Sequence, residues 1–94
     1  MVENAKQIAE MLKILANENR LLILCALARS PMTVGALSEF VPNISQSALS
    51  QHLTLLKAAG VLGSAKSGQN VTYSITDARV EDLMRALKKY GCGE

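Results

Sequence analysis

The sequence predicts a mainly α-helical domain with a small β-hairpin, in the winged helix-turn-helix arrangement. Three observations support this fold class. Residues 45–60 (SQSALSQHLTLLKAAG) have helical periodicity, with one apolar face and one polar, uncharged face. Residues 71–75 (VTYSI) alternate between apolar and polar, as a half-buried strand does. Helical patterns precede and follow these segments, which gives the order helix, helix, helix-turn-helix, hairpin, helix (ααααββα).

Size and composition predict a single domain over residues 1–94. The hydrophobic fraction of 49% is sufficient for a packed core, and with only 3% aromatics that core must consist of aliphatic side chains. A domain this small leaves apolar helix faces uncovered, which favours a dimer. The longest apolar run, residues 21–28, is too short to span a bilayer, and the first residues have no signal-peptide pattern. We therefore expect a cytoplasmic protein.

The first two helices are predicted over residues 3–15 and about 18–29. The first has an apolar stripe, which consists of Ile8, Leu12 and Leu15. Asn17 is a plausible N-cap for the second helix, and Ser30-Pro31 should end it. Because the sequence LLILCALA is apolar on nearly all sides, we expect the second helix to be buried at the centre of the domain.

A helix-turn-helix is predicted next. Thr33 should cap a short helix over residues 34–40, with Leu37 facing inward, and residues 41–44 (VPNI) should form the turn. Ser45 should then cap a longer helix that Gly60 ends. In this longer helix one narrow arc is apolar and must face a core; it contains Leu49, Leu53 and Leu56. The opposite side is polar, and contains Gln46, Ser47, Ser50, Gln51 and Thr54.

The polar side of this helix has the composition of a DNA-reading surface. An ordinary solvated helix face has Glu and Lys pairs, whereas this one has only hydroxyl and amide groups. Such groups both donate and accept hydrogen bonds at base edges and phosphates. The segment therefore resembles the recognition helix of a DNA-binding protein.

The hairpin and a final helix complete the fold. Residues 61–66 can pair with residues 71–75, and residues 67–70 (SGQN) would form the hairpin tip. Asp77 should cap the final helix, and Gly91 should close it. The apolar stripe of that helix consists of Val80, Leu83, Met84 and Leu87. In a winged helix-turn-helix the hairpin would lie along a neighbouring phosphate backbone or minor groove.

Charge placement supports the same interpretation. Residues 40–76 contain no Asp or Glu, but they contain Lys57, Lys66 and the sole histidine, His52. The other basic and acidic residues balance, so the whole formal charge of +2 lies in this window. An acid-free surface suits a segment that faces a phosphate backbone, although a run of this length can also arise by chance.

These motifs together resemble the ArsR/SmtB family of bacterial winged-helix repressors. The resemblance is carried by NENRLLILCAL, by SQSALSQHLTLLKAAGVL and by the wing ending in TYSI. It implies a homodimer that pairs through its first and last helices and binds palindromic operator DNA. The implied dimer contacts are Ile8, Leu12, Leu15, Leu83, Met84 and Leu87. The predicted DNA-binding residues, with Thr54 and Lys57 added from the residue pattern, are Gln46, Ser47, Ser50, Gln51, His52, Thr54, Lys57, Lys66 and Gln69.

Metal sensing, for which this family is known, finds little support in the residues. One typical site uses cysteines in the first helix of the helix-turn-helix, but TVGALSEF has neither Cys nor His. The other uses Asp and His along the last helix, and ARVEDLMRALKKY has no His. Zinc needs three or four ligands. We therefore expect no metal or cofactor, and a metal-responsive repressor remains an alternative.

The two cysteines resemble those of the HlyU/BigR-like branch of the family. In that branch one cysteine on each of the corresponding helices forms a redox pair that senses reactive sulfur or oxidants. The resemblance implies that Cys25 and Cys92 form such a pair, and that bridging them lowers DNA affinity. Alternatively, Cys25 is a small buried hydrophobe and Cys92 an unused thiol. A bridge requires Cα atoms closer than about 7 Å.

Other function classes are less well supported. The sequence has no phosphate-binding glycine loop, paired-carboxylate site or catalytic triad, so we expect no enzyme. A winged helix that contacts another protein without binding DNA is an alternative. His52 lies at the core boundary of its helix, where a packing histidine that touches a phosphate is expected.

Overall fold

The computed structural model describes residues 4–92. This part of the chain contains five α-helices, which are α1 (Ala5–Leu15), α2 (Glu18–Leu27), α3 (Val34–Ser38), α4 (Gln46–Ala58) and α5 (Ala78–Leu87). It also contains three strands, which are β1 (Met32–Thr33), β2 (Leu62–Ser67) and β3 (Asn70–Ile75), and a 3₁₀ turn over Lys88–Tyr90. The predicted winged helix-turn-helix is confirmed. Within the described range no helix is both long enough and apolar enough to cross a membrane.

Side-chain caps begin four of the helices, as the sequence predicts. Each cap is a short polar side chain that accepts a hydrogen bond from a backbone N–H of the first turn; the four are Asn17, Thr33, Ser45 and Asp77. Asp77 also accepts hydrogen bonds from the Arg79 guanidinium at 2.8 and 3.2 Å. These bonds hold the pKa of Asp77 below its ordinary value, although burial acts in the opposite direction.

The contribution of the Asn17 N-cap to stability can be tested directly. Its Oδ1 accepts from the backbone N–H groups of Asn19 and Arg20 at 3.0 and 3.1 Å. We expect Asn17→Ala to lower the free energy of unfolding by about 1 kcal/mol, because two N–H groups lose their acceptor. Urea unfolding of the two proteins measures this difference. Asn17→Asp keeps the acceptor and should remain within a few tenths of a kcal/mol; an equal loss in both variants would contradict the capping role.

The sheet has one strand more than the sequence predicts. Its order is β1-β3-β2, antiparallel throughout, with Tyr73 of the central strand opposite Met32 on one side and Ser64 on the other. The predicted hairpin is confirmed. Its two-residue loop places Gly68 at φ +64°, the left-handed conformation that the first position of a type II′ turn requires. The two-residue strand β1 ties the entry of α3 to the wing.

The core lies between the helices and one face of the sheet. Leu49, Leu53 and Leu56 are at most 1% exposed, as predicted, and pack with Ile23 and Leu24 of the central helix α2. Two helices end earlier than predicted. The α2 helix ends at Leu27 and α3 at Ser38, so the residues up to 29 and 40 form turns instead.

Two of the implied dimer contacts belong to the core of the single chain. Leu15 and Met84 are 3% and 1% exposed, so they have almost no surface left for a partner, and we reassign them to the core. Both lie on helix stripes with other members that reach the surface, although Val80 of the α5 stripe is also fully buried. Ile8 and Leu12 of α1 are each 45% exposed, and Leu83 and Leu87 of α5 are half-buried.

Candidate nucleic-acid interface and cysteine pair

Helix α4 presents its polar side to solvent. The buried leucines anchor one face to the core, and the opposite face is therefore directed outward. All five polar residues predicted for that face are exposed: Gln46, Ser47, Ser50, Gln51 and Thr54. The Oγ of Ser45 accepts from the N–H of Ala48 at 3.0 Å and so fixes the start of the helix. The result is a rigid ridge of hydroxyl and amide groups, which we call the polar ridge.

The wing extends the basic, acid-free surface beyond the helix. Lys66 and Gln69 are exposed near the tip of the β2–β3 hairpin. Lys57, at the end of α4, donates from Nζ to the Ser64 Oγ of β2 at 2.7 Å. The last turn of the helix is thereby linked to the first half of the wing. This lysine is exposed, so its charge remains available to an anion.

His52 is held by a residue whose role the sequence did not reveal. The Nε of Arg20 on α2 donates to His52 Nδ1 at 3.3 Å, and its Nη1 donates to the Ile14 carbonyl oxygen at 3.0 Å. With Nδ1 occupied by Arg20, Nε2 is the ring nitrogen of His52 that is left to contact DNA. Arg20 thus joins α1, α2 and α4 at one point. The sequence does not reveal this contact, because His52 is 32 positions away and the pair has no local signal.

The two cysteines meet between α2 and the end of α5. Cys25 and Cys92 form a disulfide, with their Cα atoms 5.1 Å apart. Both are half-buried and pack against the core, and the sulfur of Met84 lies 4.0 Å from that of Cys92. The bond joins positions 67 residues apart in the sequence. It therefore ties the central helix directly to the C-terminal one.

A glycine termination motif directs Cys92 back toward α2. Gly91 has φ +102°, its N–H donates to the Lys88 carbonyl, and the Cys92 N–H donates to the Leu87 carbonyl at 3.3 Å. This pair of hydrogen bonds is the Schellman motif, in which the residue after the glycine folds back onto the helix. Here that residue is the cysteine. The predicted role of Gly91 in closing the helix is confirmed.

Comparison with known proteins identifies the family. The profile described as "Bacterial regulatory protein, arsR family" matches residues 17–64, which include α2, the helix-turn-helix and the start of the wing. This chain belongs to that family. The predicted resemblance to the ArsR/SmtB regulators, in their HlyU/BigR-like branch, is confirmed by the relatives as well.

Individual relatives match this chain over almost its whole length. The transcriptional activator HlyU of Vibrio cholerae is 38% identical over 92 residues, which cover 98% of this chain and 84% of HlyU. The structure of reduced HlyU superposes with a TM-score of 0.89, covering 98% of this chain and 96% of that one. The repressor BigR of Xylella fastidiosa is 30% identical, with a TM-score of 0.88 and coverage of 100% and 95%.

A third structural relative is a dimer. It is the homodimeric winged helix-turn-helix DNA-binding domain of a Mycobacterium bovis protein, described as a possible ArsR-family transcriptional regulator. Its sequence is 27% identical to this chain, and the TM-score is 0.78 over 95% of this chain and 82% of that one.

The arsR-family metal sites can be compared with the side chains present. Over residues 4–92 no three His, Cys, Asp or Glu side chains come together in a way that could hold a metal ion. Both cysteines, the strongest candidate ligands for zinc, are joined to each other. The candidate functional features of the described residues are therefore two: the polar ridge together with the wing, and the cysteine pair.

Proposed function

We propose that this arsR-family protein is a homodimeric, repressor-type regulator that binds palindromic operator DNA. We further propose that oxidation or persulfidation of Cys25 and Cys92 releases it from DNA. The observation that carries DNA binding is the polar ridge, an exposed surface of hydroxyl and amide groups without a carboxylate. On an α-helix that is free to enter a major groove, such groups meet base edges.

The chemistry of the side chains suggests which residues contact bases and which contact phosphates. Ser50 and Gln51, at the middle of the ridge, are proposed to contact bases, because amides and hydroxyls pair with base-edge donors and acceptors. The other predicted DNA-binding residues are proposed to contact the phosphate backbone, which positions the helix without reading sequence. These are Gln46, Ser47, His52, Thr54 and Lys57 on α4, and Lys66 and Gln69 on the wing.

The homodimer is proposed from the apolar surface that the single chain leaves uncovered. Ile8 and Leu12 are exposed to nearly half their full area on the outer side of α1. Leu83 and Leu87 add half-buried apolar area on α5, so both helices have something to bury against a second copy. The Mycobacterium bovis relative, which is homodimeric, supports this assignment. Two recognition helices related by a two-fold axis would require a palindromic site.

The switch is proposed from the position of the disulfide. Forming the bond removes one electron and one proton from each thiol and transfers them to the oxidant, and it fixes Cys92 to α2. Five positions before Cys25, the same helix carries Arg20, which bonds to His52 of the recognition helix. A shift of α2 or of the α5 dimer helix would therefore move α4 relative to its partner copy. Reactive sulfur or an oxidant would be the inducer.

DNA binding by reduced and oxidised protein tests the proposal. The probe is a duplex selected by the reduced protein from a randomised oligonucleotide library, and binding is followed by fluorescence anisotropy over increasing salt. We expect a palindromic selected sequence, affinity that falls steeply with salt as counterions are released, and weaker binding after oxidation. Addition of a chelator should leave the affinity for this DNA unchanged. Absence of selectable DNA would favour a protein-contact role, and chelator-dependent binding would favour a metal-responsive one.

A further inference from the structure

A charged cleft opens beside the disulfide. Its volume is about 480 Å³, and its walls come from the end of α2, the end of β3 and one side of α5. Cys92 lines the cleft, whereas Cys25 does not. A small molecule that enters therefore lies beside Cys92 rather than beside Cys25.

The charges in the cleft wall do not cancel. Arg29, Arg85, Lys88 and Glu81 all line it. Arg85 is paired with Glu81 at 3.4 Å and with Asp82 at 2.8 Å. Arg29 lies 5.9 Å from the centre of the Phe40 ring, and neither it nor Lys88 forms an ion pair with any residue that the structure describes. Among the described residues, Arg29 and Lys88 are therefore the cleft cations without an ion-pair partner.

We propose that this cleft is a binding site for small thiols that carry carboxylates, and that it directs them to Cys92. The bound thiolate attacks the Cys92 sulfur. A new S–S bond forms between the ligand and Cys92, the Cys25–Cys92 bond breaks, and Cys25 leaves with the electron pair as a thiolate. A second ligand thiolate then attacks the ligand sulfur of this mixed disulfide, which releases the oxidised ligand and the Cys92 thiolate. Two thiols are oxidised and one protein disulfide is reduced.

The cleft and the proposed dimer contact Leu83 use different sides of α5. At about 100° per residue, the cleft residues Glu81 and Arg85 each lie about 160° around α5 from Leu83. The apolar dimer side and the cleft side are therefore on different flanks of the same helix. The cleft also shares no lining residue with α4 or the wing tip, so it is separate from the proposed DNA-facing surface.

Reduction kinetics with thiols of different charge test the site. The oxidised protein is mixed with mercaptosuccinate, mercaptoethanol or cysteamine, which are anionic, neutral and cationic. Each rate constant is divided by that of the same thiol with a small neutral disulfide, because thiols differ in thiolate fraction and nucleophilicity. At low salt we expect the normalised rate for mercaptosuccinate to exceed that for mercaptoethanol about tenfold, and cysteamine to be slowest. The preference should shrink as salt rises.

Two double variants separate the cleft from the net charge. Arg29→Gln with Lys88→Gln should abolish the preference for mercaptosuccinate. Lys6→Gln with Lys13→Gln on α1 removes the same charge elsewhere and should leave the preference intact. Succinate, which lacks the sulfur, should slow reduction by mercaptosuccinate and not by mercaptoethanol.

Three outcomes would overturn the inference. These are equal normalised rates for the three thiols, equal loss of preference in both double variants, and no effect of succinate. The inference rests on the proposed switch only through the disulfide, so the two can fail separately. If DNA binding depends on redox state but the thiols show no charge preference, the thiol-binding role of the cleft is wrong and the proposed switch is unaffected. If peptide mass spectrometry finds no Cys25–Cys92 bond after oxidation, both the proposed disulfide switch and the thiol-binding role of the cleft are wrong.

Discussion

Gln51→Glu is expected to weaken binding of the selected operator by at least about 2 kcal/mol, roughly 30-fold. Gln51 is exposed at the middle of the polar ridge. Its amide both donates and accepts, whereas a carboxylate of nearly the same shape only accepts. Loss of one base contact costs about 1–3 kcal/mol, and the new negative charge adds repulsion from the phosphates. Anisotropy titrations of reduced protein at fixed salt measure the change.

Gln7→Glu is the matched control for this substitution. Gln7 is an exposed residue of α1, so the control makes the same change in net charge away from α4 and the wing. We expect its operator affinity to stay within about twofold of the parent, with both variants remaining dimeric in sedimentation. Similar losses in the two variants would attribute the effect to net charge, and an unaltered Gln51→Glu protein would remove the assignment of the reading face.

Reduction of the disulfide is expected to lower the free energy of unfolding by on the order of 4 kcal/mol. The bond closes a loop between positions 67 residues apart, and in the chain-entropy model the stabilisation grows with the logarithm of loop length. Urea unfolding of oxidised and reduced protein, at one protein concentration, measures the difference. The concentration must be fixed because a dimer's apparent stability depends on it.

Cys92→Ser provides the control for the disulfide experiment. The variant should have the stability of reduced parent protein and should not respond to oxidant or reductant, because it cannot form the bond. Its DNA binding should likewise be independent of redox state. A parent protein whose unfolding midpoint is the same with and without reductant would contradict the stabilising role of the bond.

Local signals in the sequence were sufficient for most of the fold. Helix starts could be predicted because Asn17, Thr33, Ser45 and Asp77 act on N–H groups two or three residues away, within the same turn. The hairpin could be predicted because alternation and a glycine tip lie in adjacent residues. Strand β1 could not, since two residues have no periodicity and its pairing partner is about 40 positions away in β3.

In the candidate site, too, features set by local spacing could be predicted and features set by tertiary packing could not. The two faces of α4 follow from the spacing of Leu49, Leu53 and Leu56 alone. Burial of Leu15 and Met84 inside one chain, in contrast, depends on how whole helices tilt, which a stripe pattern does not specify. The contact between Arg20 and His52 and the closeness of the two cysteines are also tertiary events. Residue types could suggest the sulfur pair, but only the packed chain provides its distance.

The turn at Gly91 has a consequence for reversibility. Its two backbone hydrogen bonds involve no sulfur atom, so they can persist when the disulfide is cleaved. The freed thiols would then remain neighbours at a high effective molarity, so once an oxidant has modified one sulfur, attack by the other thiolate to re-form the bond would be a unimolecular step. Repeated cycles of oxidation and reduction could follow without a search by Cys92 for its partner. The backbone of one glycine would set the recovery time of the whole regulator.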